Sequence, residues 1–140
     1  MPSLFTHIIA GEIPAQFVFQ DAQWVAFLDI SPAAPGHALL VPRAEVGHLG
    51  ELPAGLQADF GPYLARLIAA VKRASGAPAA NVLINDGPAA GQAIPHVHAH
   101  VIPRFAGDGR VTHPKGAPYA DAAEALAWGE RLRAAWAAGR

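Results

Sequence analysis

Apolar positions recur with the period of an α-helix in three parts of the chain. Between Pro53 and Ser75 they fall three or four residues apart, which places them on one helical face, and Gly76 follows as a helix end. A shorter stretch of this kind begins at Leu4 and ends before Gly11, and another extends over residues 121 to 138. The pattern therefore predicts a short opening helix, a main helix and a C-terminal helix.

Short runs rich in β-branched and aromatic residues predict five strands. Phe17–Phe19 and Trp24–Leu28 are separated by the stretch QDAQ and should form a hairpin. The remaining strands are predicted at His37–Pro42, Asn81–Ile84 and Val97–Ile102, with Asn81–Ile84 buried. Because a hairpin and a third strand are followed by a helix and two more strands, the order of elements predicts an α+β fold. In this fold a mostly antiparallel five-stranded sheet packs with a main helix and a C-terminal helix.

The composition favours one globular domain that acts on a small molecule. The chain has 140 residues and no repeat or low-complexity linker, so we expect a single domain over residues 1 to 140, with a core at about 4 to 105 and a helical C-terminal extension at about 106 to 140. It is 52% hydrophobic and 15% charged, with a formal net charge of −1 and no basic run. Nucleic acid and membrane surfaces are therefore not expected as partners.

Cysteine is absent, which excludes disulfides, thiolate catalysis and zinc sites built on cysteine. The first residues lack the basic region and the long apolar core of a signal peptide, and no apolar run approaches the ~20 residues that span a bilayer. We therefore expect a cytoplasmic protein.

The stretch PHVHAHVIPR, Pro95 to Arg104, has histidine at three alternate positions. Side chains of an extended strand alternate between two faces, so His96, His98 and His100 should share one face at spacings of roughly 7 Å. The apolar residues between them should face the core, which turns the imidazoles outward. Neutral imidazole is a nucleophile towards phosphorus, a proton carrier near neutral pH and a metal ligand. These three uses, and a merely polar strand face, are the alternatives that the pattern leaves open.

The pattern His-φ-His-φ-His-φ-φ at residues 96 to 102, where φ is an apolar residue, resembles the signature of the histidine triad (HIT) nucleotide-binding proteins. Three segments resemble the same family in order and spacing: IIAGEIPA at 8 to 15, FLDISPAAPGHALLVPR at 27 to 43 and NDGPAAGQAIPHVHAHVIPR at 85 to 104. The resemblance covers about residues 4 to 105 and implies a HIT-like fold and a purine nucleotide substrate.

For the chemistry, the resemblance implies a nucleotidyl-enzyme mechanism. In this family the middle histidine attacks the α-phosphorus of a nucleotide derivative, and water then hydrolyses the nucleotidyl-histidine intermediate. His98 occupies that position. His96 and His100 correspond to the outer pair, which orients the nucleophile and contacts the phosphate or the leaving group, and His37 corresponds to a fourth histidine near the nucleophile.

The implied function is a nucleotide hydrolase or nucleotidyl transferase that cleaves a phosphoramidate, an adenylate or a dinucleoside polyphosphate. A regulatory module that binds purine nucleotides with little or no catalysis is the alternative. A metal-dependent hydrolase built on the histidine row is a third hypothesis.

The resemblance also implies the nucleotide contacts. Asp29 matches the carboxylate that accepts both ribose hydroxyls. The apolar base slot of the family is matched by five residues: Leu4, Phe5, Ile8, Phe27 and Ile30. Its phosphate contacts are matched by Asn85, Gly91 and Gln92. Independently of the resemblance, glycine lets backbone N–H groups approach an anion closely, and amide side chains donate hydrogen bonds without adding charge.

Ser3 and Thr6 depart from the pattern of many bacterial relatives, which begin with a Cys-x-x-Cys that joins two histidines in a zinc site. His48 and His96 correspond to those histidines, but two histidines without thiolates make a poor structural zinc site. We therefore expect no bound metal and no other cofactor.

Ala93 is a second departure. Relatives in the phosphoramidase branch have a hydroxyl residue there, which helps to protonate the leaving group. Asn85, in contrast, resembles that branch, so the type of leaving group stays open.

The family is usually dimeric, and the predicted main helix has more apolar surface than one sheet face needs, so we expect a homodimer. The C-terminal segment varies within the family. Its residues His113 and Trp128 or Trp136 are candidates for the leaving-group side of the site, and the sequence does not decide between them.

Overall fold

The computed structural model describes residues 1–110 and 116–139. The chain separates into two compact units, Met1–Gly109 and a C-terminal unit that begins at Arg110. His113, a candidate for the leaving-group side, lies outside the described residues. None of the helices in the described ranges is both long enough and apolar enough to cross a membrane.

The first unit is built from two helices and five strands. The helices are α1 (Leu4–Ile9) and α2 (Ala54–Ser75), and the strands are β1 (Phe17–Gln20), β2 (Trp24–Leu28), β3 (Ala38–Pro42), β4 (Ala79–Leu83) and β5 (Ala99–Arg104). Single turns of 3-10 helix lie at Leu49–Glu51 and Pro88–Ala90. The strands form one sheet in the order β1-β2-β3-β5-β4, with antiparallel neighbours throughout. The predicted α+β class with a five-stranded antiparallel sheet is therefore confirmed.

The two faces of the sheet are covered by different helices. On one face, which we call the α2 face, Leu40 and Val101 pack with Leu67 of α2. Alternate residues of the strands point to the other face, which we call the α1 face, where Phe27 packs with Phe5 of α1. Because β2 and β3 are covered on both faces, their sequences are nearly continuous apolar runs rather than alternating ones.

The predicted burial of the fourth strand is wrong. β4 lies at the edge of the sheet with β5 as its one neighbour, and Val82 and Leu83 are 40% and 46% exposed. An apolar run indicates a strand, but its cover depends on its place in the sheet, which long-range pairing decides.

The C-terminal unit contains α3, Ala122–Ala138, at the place where the sequence predicts a helix. The Asp121 side chain caps this helix by accepting a hydrogen bond from the Glu124 N–H at 2.8 Å. The Arg131 guanidinium lies 4.8 Å from the centre of the Trp128 ring, a cation–π contact along the helix surface.

Candidate active site

A cavity of about 810 Å³ lies on the α1 face of the sheet, a size typical of ligand sites. Most of the residues singled out from the sequence line it: Leu4, Phe5, Ile8, Phe27, Asp29, Ile30, His37, Asn85, Gly91, His98 and His100. His96 and Gln92, which the sequence also singles out, do not line the cavity.

His98 presents a neutral ring nitrogen to the cavity. Its Nδ1 lies 2.7 Å from the backbone carbonyl oxygen of His96, which can only accept, so Nδ1 carries the proton and Nε2 keeps the lone pair. Burial lowers the pKa of His98, although the His96 carbonyl and Asp29 act in the opposite direction, and the ring stays neutral near pH 7. The Phe5 ring meets the imidazole edge to face with ring centres 4.8 Å apart. His98 is therefore held in the tautomer that a nucleophile needs.

His37 and His100 form a hydrogen-bonded pair beside His98. The Ala33 N–H donates to His37 Nδ1 at 3.0 Å, so the proton of the His37 ring is on Nε2. That nitrogen lies 2.9 Å from His100 Nδ1 and donates to it, which leaves the His100 proton on Nε2. Burial, together with the neighbouring His98 and His37, lowers the pKa of His100 to about 4. His100 is thus a neutral N–H donor at the cavity.

Asp29 connects this histidine pair to the loop that follows β2. Its Oδ1 accepts a hydrogen bond from the Ser31 N–H at 2.8 Å, which is a turn-forming interaction. Its Oδ2 lies 3.6 Å from His37 Nε2 and 3.8 Å from His100 Nδ1. Asp29 therefore stabilises a turn and also supplies a carboxylate to the cavity.

Asp29, His37 and His100 together offer three donor atoms at the spacing of a metal site. A metal would have to bind His37 through Nε2, which carries the proton because Nδ1 already accepts the Ala33 N–H. A histidine that binds a metal through one ring nitrogen normally donates a hydrogen bond from the N–H of the other nitrogen, whereas His37 Nδ1 accepts one. The donor set does not fit a metal ion, which argues against the hypothesis of a metal-dependent hydrolase.

His96 is completely buried, at 0% exposure. Its Nε2 lies 2.8 Å from the Pro42 carbonyl oxygen and its Nδ1 lies 2.7 Å from Ser3 Oγ. The prediction that the imidazoles point outward is wrong, since His98 is only 6% exposed as well. The reason is that α1 covers this face, which is shown by the contacts of Phe5 with both rings. The apolar residues between the histidines face the core on the α2 side, as predicted.

Apolar side chains line the part of the cavity next to α1. Phe5 and Phe27 meet edge to face with ring centres 5.5 Å apart, and both are buried, as is Ile8. Leu4 is 44% exposed and Ile30 is 95% exposed, so these two lie at the rim. An apolar, partly aromatic lining suits a planar ring and discriminates by shape more than by hydrogen bonding.

The loop between β4 and β5 brings backbone close to the histidines. Gly87 and Gly91 have φ of 105° and 96°, conformations that glycine adopts at little cost. Asn85 and Gly91 line the cavity, and the Asn85 Nδ2 lies 3.5 Å from the Gly91 carbonyl oxygen. Gln92 instead holds the loop: its Oε1 accepts from Gly87 N–H and its Nε2 donates to the Gly47 carbonyl, both at 2.8 Å. We interpret Gln92 as a loop-holding residue rather than a phosphate contact.

Several cavity residues are not predicted by the sequence patterns. Leu39, Ile13 and Ile94 add apolar lining beside Ala93, which the sequence did single out. Leu39 was detectable, because it follows His37 by two positions at the start of β3 and so shares its face. Ile13 and Ile94 lie in loops, where no periodicity predicts the direction of a side chain.

Similar proteins match most of the length of the chain. An uncharacterised HIT-like protein of Methanocaldococcus jannaschii is 40% identical over 108 residues, which are 77% of this chain and 83% of that protein. An adenosine 5'-monophosphoramidase of Schizosaccharomyces pombe is 38% identical over 104 residues, which are 74% of this chain and 75% of that protein.

Among solved structures, a histidine triad nucleotide-binding protein of Candida albicans has a TM-score of 0.84 to this chain at 29% identity, covering 99% of this chain and 100% of that one. This likeness confirms the HIT-like fold. The HIT domain matches residues 10–107, a range that contains the whole histidine row. The chain therefore belongs to the HIT domain family.

Proposed function

We propose that this protein is a nucleotide hydrolase that cleaves a purine nucleotide derivative at its α-phosphate, through a covalent intermediate on His98. The main supporting observation is the protonation of two neighbouring histidines at the cavity, whose ring centres are 4.9 Å apart. His98 has its lone pair on Nε2, whereas His100 has an N–H donor on Nε2. Displacement at phosphorus needs a nucleophile and a donor to the phosphate oxygens. The similarity to an adenosine 5'-monophosphoramidase supports a nucleotide as the substrate.

In the proposed complex the base occupies the apolar part of the cavity that Phe5, Phe27 and Ile8 line, and the ribose hydroxyls bind Asp29. The α-phosphate then lies before His98, with Asn85 close to its oxygens. Among the described residues that line the cavity there is no lysine or arginine. The phosphate is therefore bound by neutral donors, and binding should depend only weakly on ionic strength.

The first step forms a bond between phosphorus and His98 Nε2 and breaks the bond from phosphorus to the leaving group. The His96 carbonyl oxygen accepts the hydrogen bond from His98 Nδ1–H and so stabilises the positive charge that develops on the ring. In the second step water attacks phosphorus and the bond to Nε2 breaks, which returns the lone pair to His98. Over both steps one water is consumed, and its hydroxyl ends on phosphorus while its other proton ends on the leaving group.

A nucleotide-binding module with little catalysis is the second candidate, and Ala93 favours it. This residue lines the cavity and its methyl group has no proton to give a leaving group. Micromolar binding of AMP in calorimetry, without hydrolysis of any substrate in a broad panel, would support this candidate over the hydrolase.

The deciding experiment measures hydrolysis of an adenosine phosphoramidate, adenylylsulfate and a dinucleoside polyphosphate by the wild type and by His98→Asn. We expect hydrolysis of at least one compound by the wild type, with a protein adduct of one nucleotidyl group in mass spectra of quenched reactions. The adduct and the turnover should both be missing in His98→Asn, while AMP binding persists. Turnover by His98→Asn at the wild-type rate would refute the mechanism.

We also propose that the protein is a homodimer, and the exposed edge strand β4, with Val82 and Leu83 partly uncovered, supports this. Sedimentation at micromolar concentration should give a dimer, and a monomer would refute the proposal.

A further inference from the structure

Four polar side chains form a hydrogen-bonded cluster outside the cavity, at the start of α1: Ser3, Thr6, Glu45 and His96. The Glu45 Oε1 accepts two hydrogen bonds, from the Ser3 N–H and from the Thr6 hydroxyl, the latter at 2.6 Å. The Ser3 Oγ accepts from the Thr6 N–H at 3.1 Å and lies 2.7 Å from His96 Nδ1. We call these four residues the N-terminal clamp.

The direction of the hydrogen bond between Ser3 and His96 follows from the Pro42 carbonyl. That oxygen can only accept, so His96 carries its proton on Nε2 and has a lone pair on Nδ1. Burial lowers the pKa of His96, which keeps the ring neutral. The Ser3 hydroxyl must therefore donate to His96 Nδ1. The backbone carbonyl of the same histidine accepts the Nδ1–H of His98, so the clamp holds the residue that orients the proposed nucleophile.

Glu45 gives the clamp a permanent acceptor. Hydrogen bonds from the Ser3 backbone and the Thr6 hydroxyl lower the pKa of Glu45 to about 2, so its carboxylate stays ionised through the neutral range. Hydrogen bonds to a charged acceptor are stronger than those between neutral groups.

The clamp also fastens α1 to the site. A helix of 6 residues is not stable alone, so it depends on its cap and on its buried side chains. Ser3 is that cap, and Phe5 in the same helix contacts the ring of His98 with centres 4.8 Å apart. One serine hydroxyl therefore bonds both to the helix that carries Phe5, through the Thr6 N–H, and to His96.

We propose that Ser3, Thr6 and Glu45 are positioning residues for the hydrolysis, because their clamp on His96 sets the orientation of the His98 ring and of the Phe5 wall against it. The inference rests on the proposed function, since it assigns these residues a role in that reaction. A plain helix cap would affect stability alone, whereas a clamp on the nucleophile affects kcat as well.

The test compares disruptive and conservative variants of the same residues. Ser3→Ala removes the donor to His96, whereas Ser3→Thr keeps a hydroxyl. Glu45→Ala removes the shared acceptor, whereas Glu45→Gln keeps an oxygen in that place. Ser75→Ala is the matched control, because Ser75 Oγ also bonds backbone at a helix end, accepting from Ala77 N–H at 3.2 Å, yet does not line the cavity.

We expect kcat to fall about tenfold in Ser3→Ala and in Glu45→Ala, with a smaller change in KM. Ser3→Thr and Glu45→Gln should recover most of the rate. Ser75→Ala should lower the midpoint of urea unfolding and leave kcat unchanged.

Nitrogen-15 spectra of the imidazoles provide a readout that needs no substrate. In the wild type we expect the proton of His98 on Nδ1 and that of His96 on Nε2, and in Ser3→Ala a larger share of His98 with its proton on Nε2. Unchanged kcat and unchanged tautomers in Ser3→Ala and Glu45→Ala would overturn the clamp as a positioning device. If the wild type hydrolyses no compound of the panel, the proposed function fails, and the tautomer comparison still decides whether the clamp orients His98.

Discussion

The α1 face and the α2 face belong to one sheet, yet they differ in what they bury. The α2 face lies under a helix of 22 residues and is filled by apolar side chains such as Leu40 and Leu67. The α1 face lies under a helix of 6 residues, which leaves the cavity open beside it. Polar groups are buried there too, including His98, and they are held by hydrogen bonds. A long helix gives a packed core, whereas a short one leaves room for a site whose polar groups must be satisfied individually.

The largest effect should come from the proposed nucleophile, His98, on the α1 face. We expect His98→Asn to lower kcat by at least about 1000-fold, because removal of a covalent nucleophile leaves only binding and electrostatic contributions. The free energy of unfolding should change by less than about 1 kcal/mol, since an amide can keep the bond to the His96 carbonyl. Single-turnover kinetics and urea unfolding measure the two quantities. A large decrease in the free energy of unfolding would show that His98 contributes mainly to the stability of the core.

A substitution on the α2 face should have the opposite effect, a loss of stability without a loss of activity. Leu67 is 2% exposed in the middle of the cluster under α2, so Leu67→Ala should lower the free energy of unfolding by about 3 kcal/mol. We expect kcat and KM of the folded fraction to stay at wild-type values, because Leu67 does not line the cavity. Denaturant unfolding and steady-state kinetics at low temperature provide the measurement. A change in KM would show that the two faces are coupled through the sheet.

Acid should weaken the α1 face specifically. The pKa of His100 falls from its ordinary value of 6.5 to about 4 on folding, chiefly by burial. Between these values the unfolded chain binds more protons than the folded chain, so the free energy of unfolding decreases as the pH falls from about 6.5 to about 4. We expect this residue to contribute about 3 kcal/mol to that decrease. Urea unfolding at several pH values should show a shallower pH dependence in His100→Asn than in the wild type, and an equal pH dependence in the two proteins would contradict the prediction.

The smallest effect concerns the carboxylate at the cavity. We expect Asp29→Asn to raise KM about tenfold, because an amide offers one acceptor oxygen where the carboxylate offers two for the ribose hydroxyls. A 2',3'-dideoxy substrate is the matched control, since it cannot use that carboxylate and should be hydrolysed with similar KM by both proteins. An equal rise in KM for both substrates would show that Asp29 acts through His37 and His100 instead.

Local pattern accounts for much of the fold. The main helix ends at Ser75 and is followed by Gly76 with φ of 74°, as the glycine after the apolar stripe predicts. The strands at Trp24–Leu28 and Ala38–Pro42 likewise follow their apolar runs. The exposure of β4 was not predictable in this way, because strand order depends on pairing between distant segments.

The candidate site, like the fold, was predictable from the sequence only in part. Alternation in PHVHAHVIPR indicated that the residues between the histidines face the core, and the match of three segments identified the family. It did not separate His96 from His98, because both rings lie on the α1 face against Phe5, and only long-range hydrogen bonds to Ser3 and Pro42 hold His96 away from the cavity.

The sequence by itself determined which side chains are candidates for the chemistry and which elements hold them, because residue type and short-range periodicity are local properties. Only the tertiary structure decided how each imidazole is protonated. A ring nitrogen takes its role from the group it meets, and for His98, His96 and His37 these groups are the carbonyls of His96 and Pro42 and the Ala33 N–H. Burial in the folded chain then keeps these rings neutral, which no local pattern in the chain could have specified.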